Sequence, residues 1–452
     1  MEPMSTSRRN LLQLAGLGVP ASVALAACGS SPSKTGAAGG SGSGGKGVAS
    51  YWTLSGKPQE EIRKDTVARF NKANPKTTIT EVQFANDAYK QKVKTAIGAG
   101  KAPTMIWGWG GGGLKSYVDA DQVLDLTSWF AENPELKDSR FPSTFGAATV
   151  DGKLYAVPIE TVTPIVLYWN KRVFDQVGAE PPQSWADILD LVPKFNAKGI
   201  APFSLAGQSL WTNMMWLEFL FDRIGGAEVF QTIFDGEKNS WSQPAALQAL
   251  GEVQKLVDVK GFQKGFQSTV ADQNADQALL YTGKAAMMVH GAWTYGSMKA
   301  DGGDFVTGGN LGYMNFPSVD GGKGDPKDTV GNPGQYVSIS SKASKEAQDA
   351  AKKLLTSTML DDTEVKKWVD IGNIPVVKSS GDLISGVGDK FDKAWLQFVY
   401  DTSSQASVFA QSWDQALPPA QATALLDNIG KLFQTSISPQ KFADNMNKTI
   451  GT

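Results

Sequence analysis

The sequence predicts an α/β protein of two domains whose folded part opens on a parallel sheet covered by helices. Three observations carry this. The chain has 452 residues, more than the ~250–300 at which single cores stop growing. Strand and helix patterns alternate from residue 48 onward. The composition, 41% hydrophobic and 19% charged, is that of an ordinary globular chain.

The elements follow in order. Val48-Ala49-Ser50-Tyr51-Trp52-Thr53 reads as a buried strand that ends in the loop Leu54-Ser55-Gly56-Lys57. Residues 60–74 form a helix with Ile62, Val67 and Phe70 on one side, stopped by Pro75. Thr80, Val82 and Phe84 alternate as a second strand; Tyr89, Val93 and Ile97 mark a second helix closed by Gly98 and Gly100. Residues 103–109, Pro-Thr-Met-Ile-Trp-Gly-Trp, make a third strand that runs into four glycines at 110–113. Strand, helix, strand, helix, strand is the pattern of a parallel sheet, and ligands of such sheets gather beyond the carboxyl ends of strands. Trp107 and Trp109 alternate along the strand, so one is expected in the core and one toward a ligand. Trp109, within the bend, is the preferred contact, with the bare backbone of Gly110 beside it.

The glycine run also satisfies a dinucleotide pattern, Gly108-x-Gly110-x-x-Gly113, and narrowly misses a phosphate loop. Both need a structural context that is missing. The run follows the third strand, and residues 114–126 are too short for the required crossover. A tight turn is the plain alternative.

Charge and rare residues narrow the function further. A net charge of -2 and a pI near 5.7 do not suit nucleic acid or an anionic surface. One cysteine and one histidine argue against an internal disulfide, a His-based metal cluster or a catalytic triad, so no metal and no cofactor is expected. Thirteen tryptophans are the chain's unusual resource.

Residues 1–27 read as a signal peptide: Arg8-Arg9 precedes Leu11-Leu12 in a twin-arginine-like motif, then comes a short apolar stretch. Leu25-Ala26-Ala27-Cys28 matches a lipobox, which makes Cys28 the lipidated first residue after cleavage. Residues 28–47, mostly glycine, serine and alanine, form a flexible tether.

Further along, residues 152–160 suggest a hairpin-like element and residues 162–170 an apolar strand. Ser184, with Asp187 three residues on, caps a helix in which Trp185 is a structural wedge.

Here a resemblance emerges. Gly-Lys-Leu-Tyr-Ala-Val-Pro at 152–158, Leu-Tyr-Trp-Asn-Lys at 167–171 and Pro-Gln-Ser-Trp-Ala-Asp-Ile-Leu at 182–189 are similar to the signature run of extracellular solute-binding proteins of carbohydrate ABC importers. Residues 283–293 and 341–351 fit the same family, within which the chain most resembles actinobacterial xylobiose or xylo-oligosaccharide binding lipoproteins. Trp169 departs from the family's usual tyrosine and reads as structural. The resemblance implies a two-lobe periplasmic-binding-protein-like fold, type II-like, with a hinge. Residues 48–158 and 325–370 would form lobe 1; residues 163–316 and 374–452 would form lobe 2.

A sugar needs aromatic plates for its C–H faces and polar groups for its hydroxyl edge. Trp211 at a helix start suits the cleft, with Asn213 beside it, while Trp216 suits the core. The resemblance adds Trp293 as an aromatic subsite and Trp413 as a late aromatic. Glu160, Asn213, Gln335 and Asp414 are the polar candidates. His290 is expected to be a satisfied structural histidine, and Trp129, Trp241, Trp368 and Trp395 to pack.

The expectation is therefore a monomeric binding lipoprotein on the outer face of the cell membrane. It would capture a short oligosaccharide by hinge closure and deliver it to an ABC permease with a cytoplasmic ATPase, without catalysis. A secreted glycoside hydrolase, which needs two carboxylates about 5–9.5 Å apart, is the main rival. The same fold binding a charged small solute is the second.

Overall fold

A computed structural model describes residues 47–451. The signal peptide, the lipobox with Cys28 and nearly all of the tether lie outside the described residues. No helix among those described is long and apolar enough to cross a membrane.

The strands are β1 (Ala49–Leu54), β2 (Ile79–Phe84), β3 (Met105–Gly108), β4 (Thr149–Val150), β5 (Lys153–Leu154), β6 (Val157–Ile159) and β7 (Thr161–Asn170). They continue as β8 (Ala201–Ser204), β9 (Ala285–Gly291), β10 (Leu311–Met314), β11 (Thr329–Asn332), β12 (Gln335–Ile339), β13 (Ile374–Pro375) and β14 (Phe409–Gln411). Three helices of the first half matter for the site: α1 (Gln59–Ala73), α2 (Asn86–Gly98) and α3 (Gly111–Asp119).

Two sheets result. The first runs β2-β1-β3-β12-β6, with β1, β2 and β3 parallel and β12 antiparallel to both β3 and β6. The second runs β14-β11-β7-β9-β8, with β10 and β13 also paired to the long strand β7. Each sheet is the centre of its own lobe. Tyr51, Phe70, Tyr89, Trp107 and Val337 share one core with the helix Lys345–Ser357. Leu167, Phe203, Trp216, Trp241 and Leu425 belong to another. A third cluster, with Tyr168, Tyr295 and Trp395, backs the second sheet. Trp129, Trp241 and Trp395 pack within these cores.

The chain passes between the sheets three times. Glu160 alone separates β6 from β7; Pro333-Gly334 joins β11 back to β12; residues 371–373 lead from the helix Asp362–Asp370 into β13. Residues 329–332, expected with the first lobe, pair instead with β7 and β14 of the second sheet. The return therefore falls at Pro333, a residue with no N–H to give to a ladder. Glu160 has a left-handed φ of 55°, unusual for a residue with a Cβ. That conformation turns the chain from one sheet into the next within a single residue.

Candidate functional site

β3 ends at the junction of the lobes and delivers two indoles. The Trp107 and Trp109 rings meet edge to face at 4.7 Å. Both border a cavity of about 240 Å³ between the lobes; Trp107 is buried in the first-lobe core, while Trp109 is only partly buried against it.

Beneath them is a buried ion pair. Arg63 of α1 donates through Nε to Glu160 Oε1 (2.8 Å) and through Nη2 to Oε2 (2.7 Å), and Trp107 Nε1 donates to Oε1 (2.8 Å). Both charges are at most 9% exposed, a geometry in which a bidentate pair with further hydrogen bonds offsets the cost of desolvation. Arg63 also donates to the Leu54 carbonyl and lies 5.7 Å from the Trp107 ring and 5.8 Å from that of Trp368. Trp368 lines the cleft, and its Nε1 donates to Glu364 (3.1 Å). Burial pushes the Glu364 carboxyl up to about 7, against hydrogen bonds from Leu360 and Trp368 and with the nearby Glu160 charge adding to it.

The opposite wall comes from the second lobe. Trp211 begins the helix Trp211–Gly225, Trp293 follows β9, and their rings lie 6.1 Å apart at 47°. His290 stands edge-on to both, at 5.5 and 5.4 Å. Its Nδ1 accepts from the Gly291 N–H (2.9 Å), so the neutral ring carries its proton on Nε2, 3.3 Å from Asp276 Oδ2. Trp293 folds back over Gly291, where a Cβ would sit 1.9 Å from the indole.

The lobes meet at the rim. Lys90 of α2 pairs with Asp414 (2.9 Å), with its ammonium 4.9 Å from the Trp109 ring and 5.8 Å from that of Trp211. Gln411 donates to the Trp109 carbonyl (2.6 Å), and Gln59 to that of Trp293 (2.9 Å). Gln335 sits at the second crossing and accepts from the Thr161 N–H at the first (3.0 Å).

Of the expected residues, Trp107, Trp109, Glu160, Trp211, Trp293, Gln335 and Asp414 line the cleft. Three do not. Trp413 is 1% exposed and stacks on Phe230 at 4.6 Å, in the second-lobe core; it is Asp414, one residue on, that turns to the cleft. Asn213 is buried and donates to the Gly207 carbonyl (3.4 Å), because two residues along a helix from Trp211 is a rotation of about 200°. Gly110 packs against Ala147, where a Cβ would meet the carbonyl at 2.2 Å.

Arg63, Lys90, His290 and Trp368 also line the cleft, although none was expected there. His290 and Trp368 combine packing with a cleft face. Arg63 and Lys90 lie on amphipathic helices where a cation ordinarily reads as a solvated charge. No local signal marks them, since their partners are 97 and 324 residues away. Among the described residues no group of three His, Cys, Asp or Glu side chains is placed to hold a metal ion.

Two α/β lobes with three crossings and an indole-lined cleft define a two-lobe binding protein. The family model for bacterial extracellular solute-binding proteins matches residues 52–357, and the chain belongs to that family. Among curated relatives, an uncharacterised ABC transporter extracellular-binding protein of Pyrococcus horikoshii is 24% identical over 260 residues, 56% of this chain and 56% of that protein. A probable sugar-binding periplasmic protein of Mesorhizobium japonicum is 25% identical over 360 residues, 78% of this chain and 80% of that one. The match thus spans little more than half the length of the first and most of the second. A solved structure from work on xylan utilization by the thermophilic bacterium Caldanaerobius polysaccharolyticus superposes with a TM-score of 0.80 at 28% identity, over 89% of this chain and 100% of that one.

Proposed function

We propose that this protein is the binding component of an ABC sugar importer and captures a short neutral oligosaccharide, best matched by xylobiose or a xylo-oligosaccharide. The observation that carries this reading is the cleft itself. Five indoles line it, and its main charges are paired within the protein, Arg63 with Glu160 and Lys90 with Asp414. Indole faces suit the C–H faces of sugars, and the pairing of these charges within the protein disfavours a charged solute. The relative tied to xylan utilization supports the choice of sugar.

Capture works through the hinge. A ligand that touches both walls only when the lobes meet shifts the population toward the closed form. The closed complex then docks on the permease, and no bond is made or broken. The lipid on Cys28 holds the monomer at the outer face of the membrane.

Calorimetry over a panel of xylobiose, xylotriose, cellobiose, maltose and amino acids tests the proposal. Binding is expected for a neutral oligosaccharide and not for amino acids, with a dissociation constant near ~1 μM, which corresponds to about -8 kcal/mol. Silence toward every sugar, or the release of shorter sugars, would overturn it. The second outcome would favour a hydrolase, yet the three carboxylates of the cleft are already engaged: Glu160 by Arg63, Asp414 by Lys90 and Asp272 by the Asp87 N–H.

A further inference from the structure

We infer that Asp87 is a positioning residue: from the first lobe it orients Trp211 of the second, so the second wall's stacking plate is completed only when the lobes meet. The inference rests on the capture of a sugar in the cleft, as proposed above.

Helix α2 starts without a cap of its own. Its N-cap residue is Ala85, which offers no side-chain acceptor, and the first N–H groups of a helix need partners from elsewhere. The Asp87 N–H finds one across the cleft, in Asp272 Oδ2 (3.1 Å). The Asp87 carboxylate takes one bond from its neighbour Asn86, Nδ2 to Oδ1 (3.0 Å), and two from the second lobe. Its Oδ2 accepts from Ser209 Oγ (2.9 Å) and its Oδ1 from Trp211 Nε1 (3.2 Å). Ser209 is itself fixed, since its Oγ accepts from the Ala271 N–H (3.2 Å). The start of α2 is therefore held to the second lobe by three hydrogen bonds at Asp87, and a fourth, within the second lobe, fixes Ser209.

The consequence concerns the indole. Trp211 is only half-buried, and its own lobe supplies ring contacts from Trp293 and His290, neither of which binds the indole N–H. The hydrogen bond that sets the rotation of the ring comes from the other lobe. When the lobes part, that bond is lost, and the plate keeps its packing but not its bearing. Recognition of the sugar face and closure of the lobes are thereby one event. Interactions formed on closure slow dissociation and leave the first encounter unchanged.

Stopped-flow tryptophan fluorescence with xylobiose, on the mature chain, tests this with Asp87→Ala, Trp211→Phe and the double variant; Trp211→Phe keeps a ring and removes the N–H. Asp87→Ala is expected to raise koff roughly tenfold, the scale of a hydrogen bond to a charged acceptor, with kon nearly unchanged. In the Trp211→Phe background the same substitution should change koff by about threefold or less, the sign of coupling between the two side chains. An equal effect in both backgrounds, an effect on kon alone or no effect overturns the inference. Asp87→Asn, which keeps the shape and one acceptor oxygen, replaces Asp87→Ala in the same cycle if the alanine variant fails to fold. If the wild type binds no xylobiose but binds another sugar of the panel, that sugar becomes the probe. If it binds none, the proposed function itself fails and this inference with it.

Discussion

Glu160 shows how a residue can be found for one reason and used for another. Its place after Val157-Pro158-Ile159 suggested a polar contact for sugar hydroxyls. In the folded protein both carboxylate oxygens are engaged by Arg63, and its carbonyl accepts from the Val376 N–H (2.9 Å), just past β13 at the end of the third crossing. It ties α1, β3 and two crossings together at a residue in the left-handed region, a conformation that costs about 1–3 kcal/mol unless its surroundings hold it. Glu364, near it, is the residue whose protonation the fold changes most usefully for a test. Its carboxyl rises from an ordinary value of 4.5 to about 7 through burial first and the Glu160 charge second. The native state therefore binds the proton more tightly than the unfolded chain. The resulting stability is fully present below pH 4.5, is lost as pH rises toward 7 and is absent above it, a span of about 3 kcal/mol. Urea midpoints measured from pH 4 to 8 should fall across that window in the wild type and much less in Glu364→Gln. Parallel profiles would remove Glu364 as the cause.

At the scale of elements, the corner between β3 and α3 changes meaning most. A run of four glycines beside two indoles read as bare backbone for a ligand. Gly111 and Gly112 instead approach the second lobe: a Cβ on Gly111 would meet the Gln411 side chain at 2.5 Å, and one on Gly112 the Leu417 carbonyl at 2.3 Å. The glycines let the start of α3 seat against residues 411–417, so they serve the meeting of the lobes. Gly112→Val should weaken sugar binding by about tenfold or more, as expected when a packed contact is overfilled by about 1–3 kcal/mol. The thermal midpoint without sugar should move little, because each lobe keeps its own core. A large fall in that midpoint with unchanged affinity would contradict this role.

The whole molecule is two cores joined at three crossings. Indoles from both cores face one cavity, and charges from both close its rim. Anchoring belongs to this scale too. If Cys28 is lipidated, wild-type protein expressed with its leader should partition with membranes, and Cys28→Ala should move it to the soluble fraction. Retention of the variant on membranes would rule out a lipid at Cys28 as the anchor. The opening strands and helices were legible from periodicity alone, because residues 48–109 alternate apolar runs of period two and near four within a short span. The cleft tryptophans were legible as a surplus. Which of them face the cleft was not, as Trp413 and Trp368 show: the resemblance pointed to Trp413, and Trp368 was expected to pack, yet Trp413 packs in the second-lobe core and Trp368 borders the cleft.

By itself the sequence determined the α/β opening and the supply of aromatic side chains, and it raised the expectation of an export signal with a lipobox. All are local properties, readable from a residue and its near neighbours. Tertiary structure alone decided that Arg63 meets Glu160, that Lys90 meets Asp414 and that Asp87 meets Trp211, pairs 97, 324 and 124 residues apart. Hydrogen bonds and ion pairs act over a few ångströms, whereas the chain positions that supply them are set by how two lobes close on each other. No short window of sequence carries that distance.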